Sequence, residues 1–140
     1  AQRLPPAQLP AGVALIDRLQ AGQTSLDVPA PLRQVFRPSV QPYLITLLHQ
    51  DPAAAFARLK VPALIVQGRN DIQVEVADAE RLKAAKPDAQ LALIDGMNHV
   101  LRISPRGMNQ QRDSYRNPEL PLARELGERI VLFIRGLPQA

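Results

Sequence analysis

Two short apolar runs, each closed by a glycine, limit what this chain can fold into: PALIVQG at residues 62–68 and AQLALIDG at residues 89–96. Runs of that length bounded by turn residues fit strands buried on both faces. Between them Val76, Ala79, Leu82 and Ala85 recur every three residues, a helical spacing that Pro87-Asp88 brings to an end. Strand, helix and strand within about 35 residues make a βαβ unit, so the two strands should be parallel with a right-handed crossover.

The rest of the chain reads as helices. Val13, Ile16 and Leu19 share a helical face, and Gly22 is placed to close that helix. Leu32, Val35 and Phe36 give a second short helix, stopped before Pro38. Ser39 is positioned to cap a third, with Val40, Leu44, Leu47 and Leu48 on one side. Asp51-Pro52 is a helix start leading into AAAFARL. No strand is evident before residue 60. After the second strand a polar loop is expected from Ser104 to Pro118. A final amphipathic helix follows, with Leu122, Leu126, Ile130, Phe133 and Ile134 inward and Glu125 paired with Arg129 on its wet face.

The strand ends carry the chemistry. In a βαβ unit both strands point the same way, so the loops leaving their C-terminal ends emerge on one edge of the sheet, where ligand and catalytic groups gather. The first strand exits into Gly68-Arg69-Asn70-Asp71 and the second into Gly96-Met97-Asn98-His99. Each loop sets one ionisable residue three positions past a glycine. Neighbouring strands lie about 4.8 Å apart, a gap such loops can close. A carboxylate that accepts a hydrogen bond from imidazole fixes its tautomer and stabilises the imidazolium formed in proton transfer. The alternatives are an aspartate that only caps the next helix and a histidine that only packs.

At these residues the sequence resembles the α/β-hydrolase family, in its serine esterase and aminopeptidase-like branch. The matching pieces are ALIVQGRNDIQV, the crossover DAERLKAAKPDAQL, then ALIDGMNHVL, and the final helix LARELGERIVLFI. They cover residues 51–137. Asn98 stands where the commonest family pattern has a glycine before the histidine, as in some esterase- and aminopeptidase-like branches. The resemblance implies an α/β fold: the last two parallel strands and final helix of a three-layer α/β-hydrolase sheet in residues 51–140, preceded by a helical cap or lid segment in residues 1–50. It assigns Asp71 as triad acid and His99 as triad base. It makes Phe36, Tyr43, Leu44 and Leu47 candidates to line an acyl or aromatic pocket, with packing of lid on core as the other reading.

The nucleophile is not apparent. None of Ser25, Ser39, Ser104 and Ser114 has the flanking glycines of a G-x-S-x-G elbow, and no HGGG-like stretch offers oxyanion-hole amides. Two strands alone leave apolar edges and faces uncovered, whereas the family core has eight. The expectation is therefore the C-terminal portion of a larger serine hydrolase acting on carboxylic esters or small amides. Its N-terminal portion, a second polypeptide, would carry six strands and the nucleophile. The alternatives are the same fold with other chemistry (an aspartate-nucleophile dehalogenase, an acyltransferase or a peptidase) and a non-catalytic α/β binding module.

Composition narrows the remaining classes. With 140 residues, 46% apolar, the chain can build a sizeable soluble core. No cysteine is present, which removes disulfides, thiolate metal sites and cysteine nucleophiles. No apolar window is long enough for a membrane span, and residues 1–12 show no signal-peptide core. The formal charge of +4 comes from scattered arginines without basic runs or interleaved aromatics, so nucleic acid is not an expected partner. No cofactor is implied. Richness in arginine and alanine fits a bacterial protein, of cytoplasm or periplasm. His49 is expected to contact the carbonyls ending its helix, and Asp78 and Glu80 read as solvated surface. For Asp95 turn formation and a site role both stand open.

Overall fold

The computed structural model describes residues 6–138. The N-terminal stretch read above thus begins outside the described residues. The chain divides into two compact units at Asp51/Pro52.

The first unit is helical. α1 spans Leu9–Gln20, with Pro10 in the first turn, where a missing N–H leaves no intrahelical bond unmade. Its inward stripe is Gly12, Leu15 and Leu19, flanked by Ile16. Val13 is 55% exposed instead of sharing that face: a stripe through 12, 15, 16 and 19 leaves position 13 about 100° round the helix. Gly22 closes α1 as expected, at φ +75°. Its N–H donates to the Leu19 carbonyl at 3.0 Å and that of Gln23 to the Arg18 carbonyl at 2.9 Å, the two bonds of a Schellman cap.

A 3-10 turn, Ala30–Leu32, runs into α2, Arg33–Phe36. Arg37 is extended at ψ 142°, as a residue before proline must be, and stops the helix. A second such turn, Pro38–Val40, runs into α3, Gln41–Leu48. Ser39 therefore sits inside the turn rather than at the cap. Leu44 and Ile45 pack against the core of Leu15, Leu19, Val28, Leu32 and Phe36, while Leu47 and Leu48 face solvent. The fully buried Gln41 ties the unit together. Its Oε1 accepts the Ser25 N–H at 2.7 Å, and its Nε2 donates to the Ser25 and Phe36 carbonyls at 2.8 and 2.7 Å.

The second unit is mixed α/β. α4, Pro52–Ala57, begins at the expected proline. β1, Leu64–Gly68, and β2, Gln90–Ile94, pair in parallel from Leu64↔Gln90 to Gly68↔Ile94. α5, Val76–Ala85, is the crossover between them. One sheet face packs Ile65 against Ala79 of α5 and Phe56 of α4. On the other, Val66 and Ile94 meet Met97, Ala123 and Leu126. Burial alternates along both strands rather than being complete, with Leu64, Val66, Leu91 and Leu93 only half-buried.

Where a polar loop was expected, Met108–Arg116 forms α6. Its inward residues are Gln111 and Ser114, so the helical period is written in polar side chains and leaves no apolar stripe to read. α7 spans Arg124–Arg135. Leu126 is buried and Phe133 half-buried as expected, but Leu122 precedes the helix and is exposed, as are Ile130 and Ile134. Glu125 and Arg129 pair at 2.8 Å. Among the described residues no helix is long and apolar enough to cross a membrane.

Candidate active site

The register puts Gly68 opposite Ile94, so both strands end at one edge and their exit loops lie side by side. Backbone bonds stitch the loops together. Arg69 N–H donates to the Ile94 carbonyl and Asn70 N–H to the Met97 carbonyl, each at 3.0 Å. Such an approach depends on glycine: a Cβ on Gly68 would stand 2.1 Å from the Met97 carbonyl oxygen. Gly96 makes the opposing turn at φ +72°.

Across this junction His99 Nδ1 and Asp71 Oδ2 are 2.9 Å apart, joining residues 28 positions apart in sequence. Every polar face of the aspartate is engaged. Oδ1 accepts the N–H groups of Gln73 and Val74 at 2.7 and 3.0 Å. Oδ2 also faces the Nε2 donor of Gln67 at 3.4 Å. Burial raises the Asp71 carboxyl pKa, but the Gln73 and Val74 amides, then the His99 hydrogen bond and charge, outweigh it and hold the group below its usual value. Asp71 is therefore ionised at neutral pH. Since a carboxylate only accepts, Nδ1 is the donor in this contact, and in a neutral ring the lone pair then lies on Nε2.

The two side chains differ in access. Asp71 is 7% exposed and His99 40%, and among the described residues nothing hydrogen-bonds Nε2. A cavity of about 200 Å³ adjoins the pair, lined by both and by Val66, Gln67, Val74, Met97 and Leu101 among others. That is room for several waters or a small acyl group. The arrangement can take a proton at Nε2 while a shielded carboxylate steadies the resulting imidazolium.

The helix-cap reading of Asp71 does not describe what is seen. The residue before α5 is Glu75, whose N–H is met by the Asp78 carboxylate at 3.1 Å. Asp71 organises its own loop, three residues after a strand whose polar member, Gln67, donates back to it. A glutamine inside an otherwise apolar run, just before the glycine, was the sequence signal for that partner.

Phe36, Tyr43, Leu44 and Leu47 belong to the first unit, Phe36 buried and Leu44 half-buried in its core, Tyr43 and Leu47 exposed. His49 is exposed, its Nδ1 2.7 Å from the Ile45 carbonyl near the end of α3. Asp95 is exposed and forms an ion pair with Arg69 at 2.9 Å. Three serine hydroxyls donate to backbone carbonyls: Ser25 to Asp27, Ser104 to Pro105 and Gln110, Ser114 to Gln111. Among the described residues no group of three or more His, Asp or Glu side chains is arranged to hold a metal ion. No protein-family model matches the chain, and no curated protein matches it at a significant level.

Proposed function

We propose that Asp71 and His99 are the acid and base of a Ser-His-Asp relay in an α/β-hydrolase that cleaves carboxylic esters or small amides, with the nucleophilic serine outside these 140 residues. The observation that carries this reading is the 2.9 Å Asp71–His99 bond at the C-terminal edge of parallel strands, beside a cavity, with Nε2 unengaged among the described residues. Two further features support it. No described strand pairs with the outer edge of β1, and Ile130, Val131, Leu132 and Ile134 of α7 are exposed. Both are surfaces that further strands and helices of a hydrolase core would cover.

The steps follow from the polarity of the pair. The serine oxygen attacks the substrate carbonyl while His99 Nε2 removes its proton, and Asp71 stabilises the charged ring. The tetrahedral intermediate collapses as the same proton passes to the departing alkoxide or amine. Water then repeats the sequence on the acyl-enzyme, with Nε2 again accepting and returning one proton.

Steady-state hydrolysis of a p-nitrophenyl ester by the natively isolated assembly tests the reading. His99→Ala is expected to lower kcat by roughly 10³-fold or more, and Asp71→Asn, which leaves the ring free to hold its proton on the wrong nitrogen, by roughly 10⁴-fold. Near-normal turnover in His99→Ala would remove the residue from the mechanism.

A further inference from the structure

His99 is the second residue of a four-residue turn, closed by the Leu101 N–H donating to the Asn98 carbonyl at 3.0 Å. Asn98 is 1% exposed, and its side chain is the hub of that turn. Oδ1 accepts the N–H groups of Val100 and Arg102 at 3.2 and 3.1 Å. Nδ2 donates to Ser114 Oγ at 2.6 Å, and Ser114 Oγ donates in turn to the Gln111 carbonyl at 2.6 Å. The Asn98 N–H donates to the Arg102 carbonyl at 2.9 Å, and the Arg102 guanidinium donates onward to the carbonyls of Ser114 and Asn117. One amide thus fixes both sides of the turn carrying the imidazole and fastens it to α6.

α6 holds the other loop as well. Gln111 Nε2 donates to the Asn70 carbonyl at 3.3 Å, and the Tyr115 hydroxyl meets Gln73 Nε2 in the loop that Asp71 organises. Strand pairing brings the loops together only as far as residues 68–70 and 94–97. Beyond that point, among the described residues, no backbone bond joins the two loops to each other, and side-chain bonds from both reach α6.

The geometry points to Asn98, anchored by Ser114 of α6, as the positioning residue that sets the His99 ring against Asp71. It touches no reacting atom and acts through the turn. Its effect on catalysis rests on the function proposed above, whereas its effect on the Asp71–His99 bond does not.

The test is proton NMR of the full chain with ¹⁵N-labelled histidine, following the His99 Nδ1–H resonance and its exchange with water. Amide protection at Val66 and Ala92 in the paired strands serves as the internal control. In Asn98→Ala the Nδ1–H signal is expected to exchange at least tenfold faster, or to vanish, with strand protection kept. Ser114→Ala, which removes a single hydrogen bond, should give a smaller change of the same sign and keeps the inference testable if Asn98→Ala does not fold. In the assembled hydrolase the same variants should lower kcat and leave KM in place. A wild-type Nδ1–H signal in Ser114→Ala and in folded Asn98→Ala overturns the inference. So does a loss in step with the strand amides, which would mark a general loss of stability. A wild-type assembly that hydrolyses no ester would overturn the proposed function and leave the NMR result standing.

Discussion

Gly68→Ala should strike directly at the junction of the two loops. The new Cβ would stand 2.1 Å from the Met97 carbonyl oxygen and 2.6 Å from its carbon. Relieving the first contact even to 3.0 Å requires 3.0 − 2.1, about 0.9 Å, of separation between two backbones. Neither can give locally, because Gly68 is paired with Ile94 and the next two amides are bonded across the junction. Forcing a methyl into such a site costs about 1–3 kcal/mol. Losing the Asn70–Met97 hydrogen bond adds roughly 1 kcal/mol, so a total near 2–4 kcal/mol is expected. A displacement of that size also takes the 2.9 Å Asp71–His99 contact outside hydrogen-bonding range. Gly127→Ala is the matched control: nothing lies within 4 Å of its added Cβ, and alanine within α7 should stabilise by about 0.5–1 kcal/mol. Urea unfolding of both variants, with the His99 Nδ1–H resonance as local readout, decides the matter. Equal stabilities, or an undisturbed His99 signal in Gly68→Ala, would refute the close-approach account.

Other expectations are as concrete. Asp71 has a lower pKa folded than unfolded, so its stabilising contribution is complete above the unfolded value of about 3.9 and lost as pH falls through the folded value. Urea midpoints measured from pH 7 downward should therefore fall more steeply below about pH 4 for wild type than for Asp71→Asn. In the first unit, Leu19→Ala at a 1% exposed site should cost about 2–5 kcal/mol. Val13→Ala, at the exposed position of the same helix, should stay within about 0.5 kcal/mol. Hydrogen exchange of α1 amides separates the two. Gly22→Ala should cost about 1–2 kcal/mol from its left-handed backbone alone, since open space surrounds the added methyl; an unchanged α1 would contradict the Schellman cap.

Legibility in the sequence followed the physics of each element. The strands, the crossover helix and the Asp71–His99 juxtaposition could be read because apolar runs ending in glycine fix a direction, and direction fixes which loops meet. α6 could not, because hydrogen bonds from Gln111 and Ser114 replace the apolar contacts that periodicity detects. The same holds for Gln41, a polar residue at the centre of the first unit. Val13 and Leu47 misled for a different reason: both are apolar and fit a helical stripe, but which of two adjacent stripes faces inward is decided by packing partners far away in sequence. Asn98 carries no apolar signal either, and its bonds to Val100, Arg102 and Ser114 give a physical purpose to an asparagine beside His99.

In the proposed function a shielded carboxylate and a half-open imidazole on this chain activate a serine located elsewhere. Fluorophosphonate labelling of the native assembly, isolated through a tag on this chain, tests it most directly. A labelled serine outside residues 1–140 is expected, with a labelling rate cut by roughly 10³-fold or more in His99→Ala. Labelling at an undiminished rate in that variant, or none in an intact and folded assembly, would contradict it.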